Sequence, residues 1–242
     1  MDYEFSGVRR ADLSREKSCY RSALVVVAAF NEAGVIGRVV QDLLGRFPNV
    51  VVIDDCSSDG TGALAEAAGA KVLTHAINLG QGAALQTGLA YGLSQSHIDY
   101  FITFDADGQH RVEDAAKILD RLVITGADIV FGTRFGNGGS LHVPRMRRFV
   151  LALARIHVNS SSGLGLSDAH NGLRGFRRKV AEAFDLQHAG MAHASEMANI
   201  VGAAGFAVEE QPVEVLYTEY SRAKGQTVLN GINILFDLFW RR

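Results

Sequence analysis

One repeated pattern constrains this chain more than any other feature. Short apolar runs end in polar or glycine-rich clusters, and each cluster leads into a stretch of helical character. Leu24-Val25-Val26-Val27-Ala28-Ala29 runs into Asn31-Glu32, and Val50-Val51-Val52-Ile53 runs into Asp54-Asp55-Cys56-Ser57-Ser58-Asp59-Gly60. Val72-Leu73 precedes Asn78-Leu79-Gly80-Gln81-Gly82. Phe101-Ile102-Thr103-Phe104 runs into Asp105-Ala106-Asp107-Gly108-Gln109-His110, and Asp128-Ile129-Val130-Phe131-Gly132 into Thr133-Arg134. Continuous apolar runs of this length are typical of strands covered on both faces. Helices are expected up to about Arg46, after Thr61, over Ala83–Leu93, over Val112–Thr125 and from Met191. Strand alternating with helix predicts a mostly parallel sheet of βαβ units flanked by helices. All five clusters then fall on one sheet edge, where open α/β sheets gather their ligands.

Size and composition fit one large domain. The chain has 242 residues, 48% hydrophobic and 21% charged, which is a globular composition. A formal net charge of −2 gives no case for nucleic-acid binding. Cys19 and Cys56 are the only cysteines, so neither a disulfide framework nor a zinc spacing is present, and a reduced, cytoplasmic setting is expected. No segment has the ~20 consecutive apolar residues that cross a bilayer. Residues 1–20 read as a poorly ordered leader, 21–226 as the domain and 227–242 as a C-terminal amphipathic helix.

The sharpest chemistry lies in Asp105-Ala106-Asp107. In extended backbone both carboxylates can project to one side. Two carboxylates that close repel each other unless a cation lies between them. A hard divalent ion, Mg²⁺ or Mn²⁺, shared with substrate phosphates suits such a site. The bland alternative is a strand end whose aspartates cap the next turn. Asn78-Leu79-Gly80-Gln81-Gly82 looks like a phosphate-cradling loop, but it lacks the Walker lysine and a full GxGxxG, and its glycines equally suit close helix–strand packing.

Taken in order and spacing, Asn31-Glu32, Ile53 to Gly60, Asn78 to Gly82 and Asp105 to His110 resemble the family 2 glycosyltransferases of GT-A fold. Within that family they are most similar to the dolichyl-phosphate mannose synthase and bacterial polyprenyl-phosphate glycosyltransferase group, over about Leu24 to Gly225. The resemblance implies a single-domain α/β fold of GT-A type, a Rossmann-like, mostly parallel sheet flanked by helices. It implies a nucleotide-sugar pocket built from Ala29, Phe30, Glu32, Asp54, Asp55, Gly82, Asp105 and Ala106. It implies a metal, Mg²⁺ or Mn²⁺, held by Asp105, Asp107 and Gln109, with Asp107 in a catalytic role. The family often has proline where this chain has Ala28, a departure that slightly alters the rigidity of the nucleotide loop.

The second half bears on the acceptor. Pro144 to Arg155 reads as a basic, partly amphipathic helix, suited to a membrane surface, to an anionic ligand or simply to solvent. By the same resemblance Arg134 and Arg148 surround acceptor and donor phosphates, and Arg222 and Lys224 sit in a mobile loop that closes over the diphosphate. The segment from Asp168 to Arg178 returns the chain to the sheet, its aspartate and asparagine shaping an acceptor pocket, with His170 an ordinary loop histidine. Glu196 is the candidate general base for a hydroxyl acceptor, or else a structural residue.

The expected activity is inverting, metal-dependent transfer of a sugar from a UDP- or GDP-sugar to a polyprenyl phosphate at the inner membrane face. The expected location is cytoplasmic and peripheral, with membrane contact and room for homo-oligomers. One alternative keeps the donor and changes the acceptor to a sugar hydroxyl of a cell-envelope polysaccharide or lipid-linked glycan. Another is a sugar-nucleotide-binding protein without turnover.

Overall fold

The computed structural model describes residues 18–135, 155–156, 158–188 and 192–216. Its strands are β1 (Ala23–Ala29), β2 (Asn49–Asp54), β3 (Lys71–Thr74), β4 (Tyr100–Asp105), β5 (Ile129–Thr133), β6 (Arg174–Arg177) and β7 (Val208–Pro212). Between them lie α1 (Ile36–Leu44), α2 (Thr61–Ala67), α3 (Gln81–Leu93), α4 (Val112–Thr125), α5 (Arg178–Ala183) and α6 (His193–Ala204). They form one seven-stranded sheet in the order β3-β2-β1-β4-β6-β5-β7. β1, β2, β3 and β4 run parallel. β6 is antiparallel to both neighbours, β4 and β5, and β5 pairs in parallel with β7.

The apolar runs are strands because both faces are covered. Side chains alternate between faces along a strand, and here the alternation divides the core in two. Val25, Val27, Val50, Val52, Ile102 and Phe104 pack with α1 and α4 on one side. Leu24, Val26, Val51, Ile53, Phe101 and Phe131 pack with α3, α5 and α6 on the other. Parallel register then sets the polar ends side by side, with Ala28 opposite Asp105 and Ala29 opposite Asp54. β5 is not the direct neighbour of β4 that simple βαβ succession suggests. The chain leaves the sheet after Thr133 and returns antiparallel as β6, whose Phe101↔Phe176 and Phe131↔Arg174 pairings fill the gap.

Two residues of the expected leader pack with the domain. Cys19 and Tyr20 are buried, and the Tyr20 hydroxyl donates to Asp120 at 2.9 Å, so the last leader residues belong to the core. The basic helix beginning at Pro144 and the C-terminal helix 227–242 lie outside the described residues, apart from Arg155 at the end of the former.

Helix α3 approaches the sheet closely through glycine. A methyl at Gly88 would collide with the Val26 side chain, and one at Gly92 with Phe101 and Leu24. Overpacking a filled core typically costs about 1–3 kcal/mol. Gly88→Val is therefore expected to lower unfolding free energy by about that amount with the urea m-value unchanged, which equilibrium denaturation measures.

Candidate active site

The sheet edge carries a cavity of about 570 Å³ at the carboxyl ends of β1 and β4. Two interlocked loops form one wall. Asn31 is a non-glycine residue with φ 54°, and Cys56 another with φ 64°. Both loops owe their shape to side chains bonding backbone across the gap: Ser57 accepts from the Asn31 amide, Thr61 from the Glu32 amide and Asp59 from the Ala33 amide. Asn31 in return accepts from the Ser58 amide at 3.0 Å.

Asp55 anchors the next wall. Its buried carboxylate accepts from the amides of Leu79 at 2.9 Å and Gly80 at 2.7 Å, and from His75 Nδ1 at 2.7 Å. His75 Nε2 in turn lies 2.9 Å from the Thr87 hydroxyl on α3. The Asn78–Gly82 loop is thus held in place by the aspartate of a neighbouring strand. Asn78, Gly80 and Gln81 face the cavity.

The end of β4 forms the floor. Asp105 accepts from Gln81 Nε2 at 3.1 Å and pairs with His110 Nε2 at 2.9 Å. Gly172 presses so closely that a methyl there would overlap the Asp105 carboxylate. Burial alone would raise the Asp105 carboxyl, but the His110 hydrogen bond and the charges of His110, Arg174 and His193 outweigh it and hold the group below the usual carboxylate range. Asp107 goes the other way. Burial first, then the neighbouring Asp105 charge, push it up to about 6. Its carboxylate accepts only the Gln109 amide at 3.0 Å within this turn. Among the described residues no three His, Cys, Asp or Glu side chains converge to hold a metal ion unaided. A cation here would rest on the Asp105–Asp107 pair and complete its shell with oxygens from substrate, as divalent ions at phosphate sites do. The donor set fits: Asp107 bears an uncompensated repulsion that a cation relieves, and the Gln109 amide nitrogen is buried without a partner among the described residues. Turning that amide over would present its oxygen.

The far wall comes from the segment leading into β6. His170, Asn171, Gly172 and Arg174 line the cavity with His193 of α6. Arg174 is 1% exposed. Burial brings its guanidinium down to about 10, so it remains charged at neutral pH. Burial and the Arg174 charge bring His170 down to about 4, so its imidazole is neutral.

Of the residues expected from sequence, Ala29, Phe30, Glu32 and Asp55 meet at this cavity. So do Asp105, Ala106, Asp107, Gln109 and Arg134. Others stand elsewhere. Asp54 does not line the cavity: its carboxylate accepts from the Ser57 amide at 3.0 Å and backs onto Gly62. Gly82 serves packing, since any side chain there would strike the His188 carbonyl. Glu196 also lies off the cavity and binds the amides of Gln187 at 2.9 Å and His188 at 3.1 Å. Arg134 reaches the cavity but is clasped by Asp168, with Nε and Nη2 at 2.6 and 2.7 Å from the two carboxylate oxygens. Asp168 is therefore the buried partner of Arg134 and does not line the cavity, whereas His170 does. Arg148, Arg222 and Lys224 lie outside the described residues. Gln81 and His110 are cavity residues from motifs quoted above that were given no role of their own, and Arg174 was not singled out at all; an arginine two places after a glycine in the returning segment was the available signal for it.

Comparison with known proteins agrees with this geometry. The model for glycosyl transferase family 2 matches residues 24–184. An uncharacterised protein of Methanocaldococcus jannaschii is 33% identical over 222 residues, 90% of this chain and 91% of its own. The polyprenol monophosphomannose synthase of Mycolicibacterium smegmatis is 32% identical over 228 residues, 89% of this chain and 84% of its own. The crystal structure of glucosyl-3-phosphoglycerate synthase from Mycobacterium tuberculosis with Mn²⁺, UDP and glucosyl-3-phosphoglycerate has a TM-score of 0.69 at 18% identity, covering 98% of this chain and 86% of that one. This last likeness is one of fold. The chain belongs to glycosyl transferase family 2, and its sheet is that of the GT-A glycosyltransferases.

The buried histidine has a measurable consequence. A histidine held neutral in the fold near pKa 4 is protonated in the unfolded chain below about 6.5. The unfolded state then binds more protons, so stability falls as pH drops from about 6.5 toward 4. A shift of this size corresponds to about 3 kcal/mol at its full extent. Asp107, raised to about 6, acts in the opposite sense over much the same window, and Asp168, held low, acts only below it. The histidine contribution is thus read as a difference: His170→Gln is expected to lose less stability than wild type between pH 6.5 and 4.5 in denaturant titrations.

Proposed function

We propose that this family 2 glycosyltransferase moves a sugar from a nucleotide-sugar donor to a polyprenyl phosphate, with divalent metal and with inversion at the anomeric carbon. The observation that carries the reading is Asp107 beside Asp105 on the cavity floor, one carboxylate pushed up and the other held down. Asp105, Asp107 and the Gln109 amide would hold Mg²⁺ or Mn²⁺, which supplies positive charge against the diphosphate as it leaves. The loops around Phe30, Glu32 and Asp55 would take the nucleoside, with Asp55 holding the loop that flanks it.

The acceptor reading draws on chemistry and on kinship. A phosphate is already ionised at neutral pH and attacks without a strong base. Glu196, the base a hydroxyl acceptor would call on, has both carboxylate oxygens engaged with backbone amides away from the cavity. One relative at 32% identity is named a polyprenol monophosphomannose synthase. Attack opposite the leaving diphosphate inverts the anomeric centre. No described helix is long and apolar enough to cross a membrane.

The test is transfer from a panel of UDP- and GDP-sugars to polyprenyl phosphate in detergent micelles with Mn²⁺ or Mg²⁺. Asp107→Ala is expected to abolish turnover without unfolding, and EDTA to do the same to wild type. Glu196→Gln should retain most of the rate, because loss of a working general base would cost on the order of 10²–10⁴. Full activity in EDTA would overturn the metal assignment, and a nearly dead Glu196→Gln enzyme would favour the hydroxyl acceptor.

A further inference from the structure

The wall opposite the nucleoside loops holds an unusual set of buried groups. Arg174 Nε, Asn171 Nδ2 and His170 Nε2 are shielded from solvent and, among the described residues, have no hydrogen-bond partner. Buried polar atoms without partners are rare, because each forfeits its hydration. Here three occur within five consecutive positions, on residues that all line the same cavity.

Their chemistry is one-sided. Arginine only donates. The Arg174 guanidinium makes a 3.3 Å bond to the Ala169 carbonyl and a 3.7 Å contact with Met197 sulfur, and among the described residues it has no carboxylate in ion-pair contact. Asn171 Oδ1 is occupied by the Leu173 amide at 2.9 Å, which fixes Nδ2 as the free end, a donor. Neutral His170 completes the set. These groups are also held rigidly. Thr103 on β4 donates to the Gly172 carbonyl at 2.7 Å, and the Asp105 carboxylate abuts the Gly172 α-carbon.

Position narrows the ligand. The nucleoside loops lie on the β1–β2 side, and the Asp105–Asp107 pair occupies the middle of the cavity. The group bonded to the far phosphate of a nucleotide sugar comes next, beyond the pair, against this wall. We infer that Arg174, Asn171 and His170 form the subsite for the transferred sugar, Arg174 and Asn171 donating hydrogen bonds to its ring oxygens and hydroxyls and His170 Nε2 donating or accepting according to its tautomer, and so discriminate among sugars. The inference rests on the glycosyl-transfer reading above. It differs from an anchor for acceptor phosphate, which would use the same donors.

Calorimetric titration separates these possibilities. The full-length protein with Mn²⁺ is titrated with UDP, UDP-glucose, GDP and GDP-mannose, and with polyprenyl phosphate in detergent micelles, in wild type, Arg174→Lys and Asn171→Ala. For the nucleotide that wild type binds, each variant is expected to lose about ten- to hundredfold in sugar-nucleotide affinity, the usual range for a lost charge-assisted bond. Affinity for the matching nucleoside diphosphate should stay within about twofold. A merely structural role would weaken both ligands together, so the ratio of the two affinities is the readout. Asn171→Ala keeps the test decisive if Arg174→Lys fails to fold. Equal losses for sugar nucleotide and nucleoside diphosphate would overturn the subsite and leave the transferase reading standing. Unchanged sugar-nucleotide affinity together with weakened binding of polyprenyl phosphate would overturn it in favour of the acceptor anchor. Absence of nucleotide binding in wild type would sink the transferase reading, and the subsite with it.

Discussion

The Asp105 carboxylate is the point through which separate parts of the chain meet. It ends β4, accepts from Gln81 at the start of α3, pairs with His110 in the following loop and touches Gly172 before β6. A carboxylate partly withdrawn from water is costly unless it is hydrogen-bonded and compensated. The fold meets that requirement with segments distant in sequence, and so the cost of one charge fixes how the two halves of the cavity sit against each other. Arg174, fully buried and close enough to help keep Asp105 ionised, extends the same compensation to the far wall.

Electrostatic asymmetry follows from this arrangement. Asp105 is surrounded by donors and positive charge, while Asp107 faces the cavity with one backbone amide and a negative neighbour. Two carboxylates two residues apart thus acquire different tasks from their surroundings. Both line the cavity, but Asp105 also ties protein segments together, while Asp107 keeps more of its bonding capacity for whatever enters.

Much of the sheet was legible in the sequence because the apolar runs are continuous and end in unmistakable polar clusters. Strands β1, β2 and β4 and helix α4 fall where the pattern puts them. The pairing of β6 between β4 and β5 was not readable, since Arg174-Gly175-Phe176-Arg177 carries two charges in four residues and gives no strand signal of its own. Tertiary burial makes it a strand. The same reason hid the site residues that it brings. Arg174 looks like a surface arginine until the sheet closes over it. Asp54, Gly82 and Glu196 misled in the opposite direction: their residue types suit chemistry, but each is consumed locally, by a turn, by a close approach and by two amides.

The clasp between Arg134 and Asp168 has a further bearing. These residues are 34 positions apart, and their bidentate pair closes the excursion that leaves after β5 and returns as β6. Part of the excursion belongs to the core all the same, since Val158 and Leu166 are buried on the side of the sheet that α3 and α6 cover. Doubling the length of such a loop costs only about 0.6 kcal/mol in closure entropy. Insertions that leave the clasp, Val158 and Leu166 in place are therefore the ones that keep the cavity floor in register.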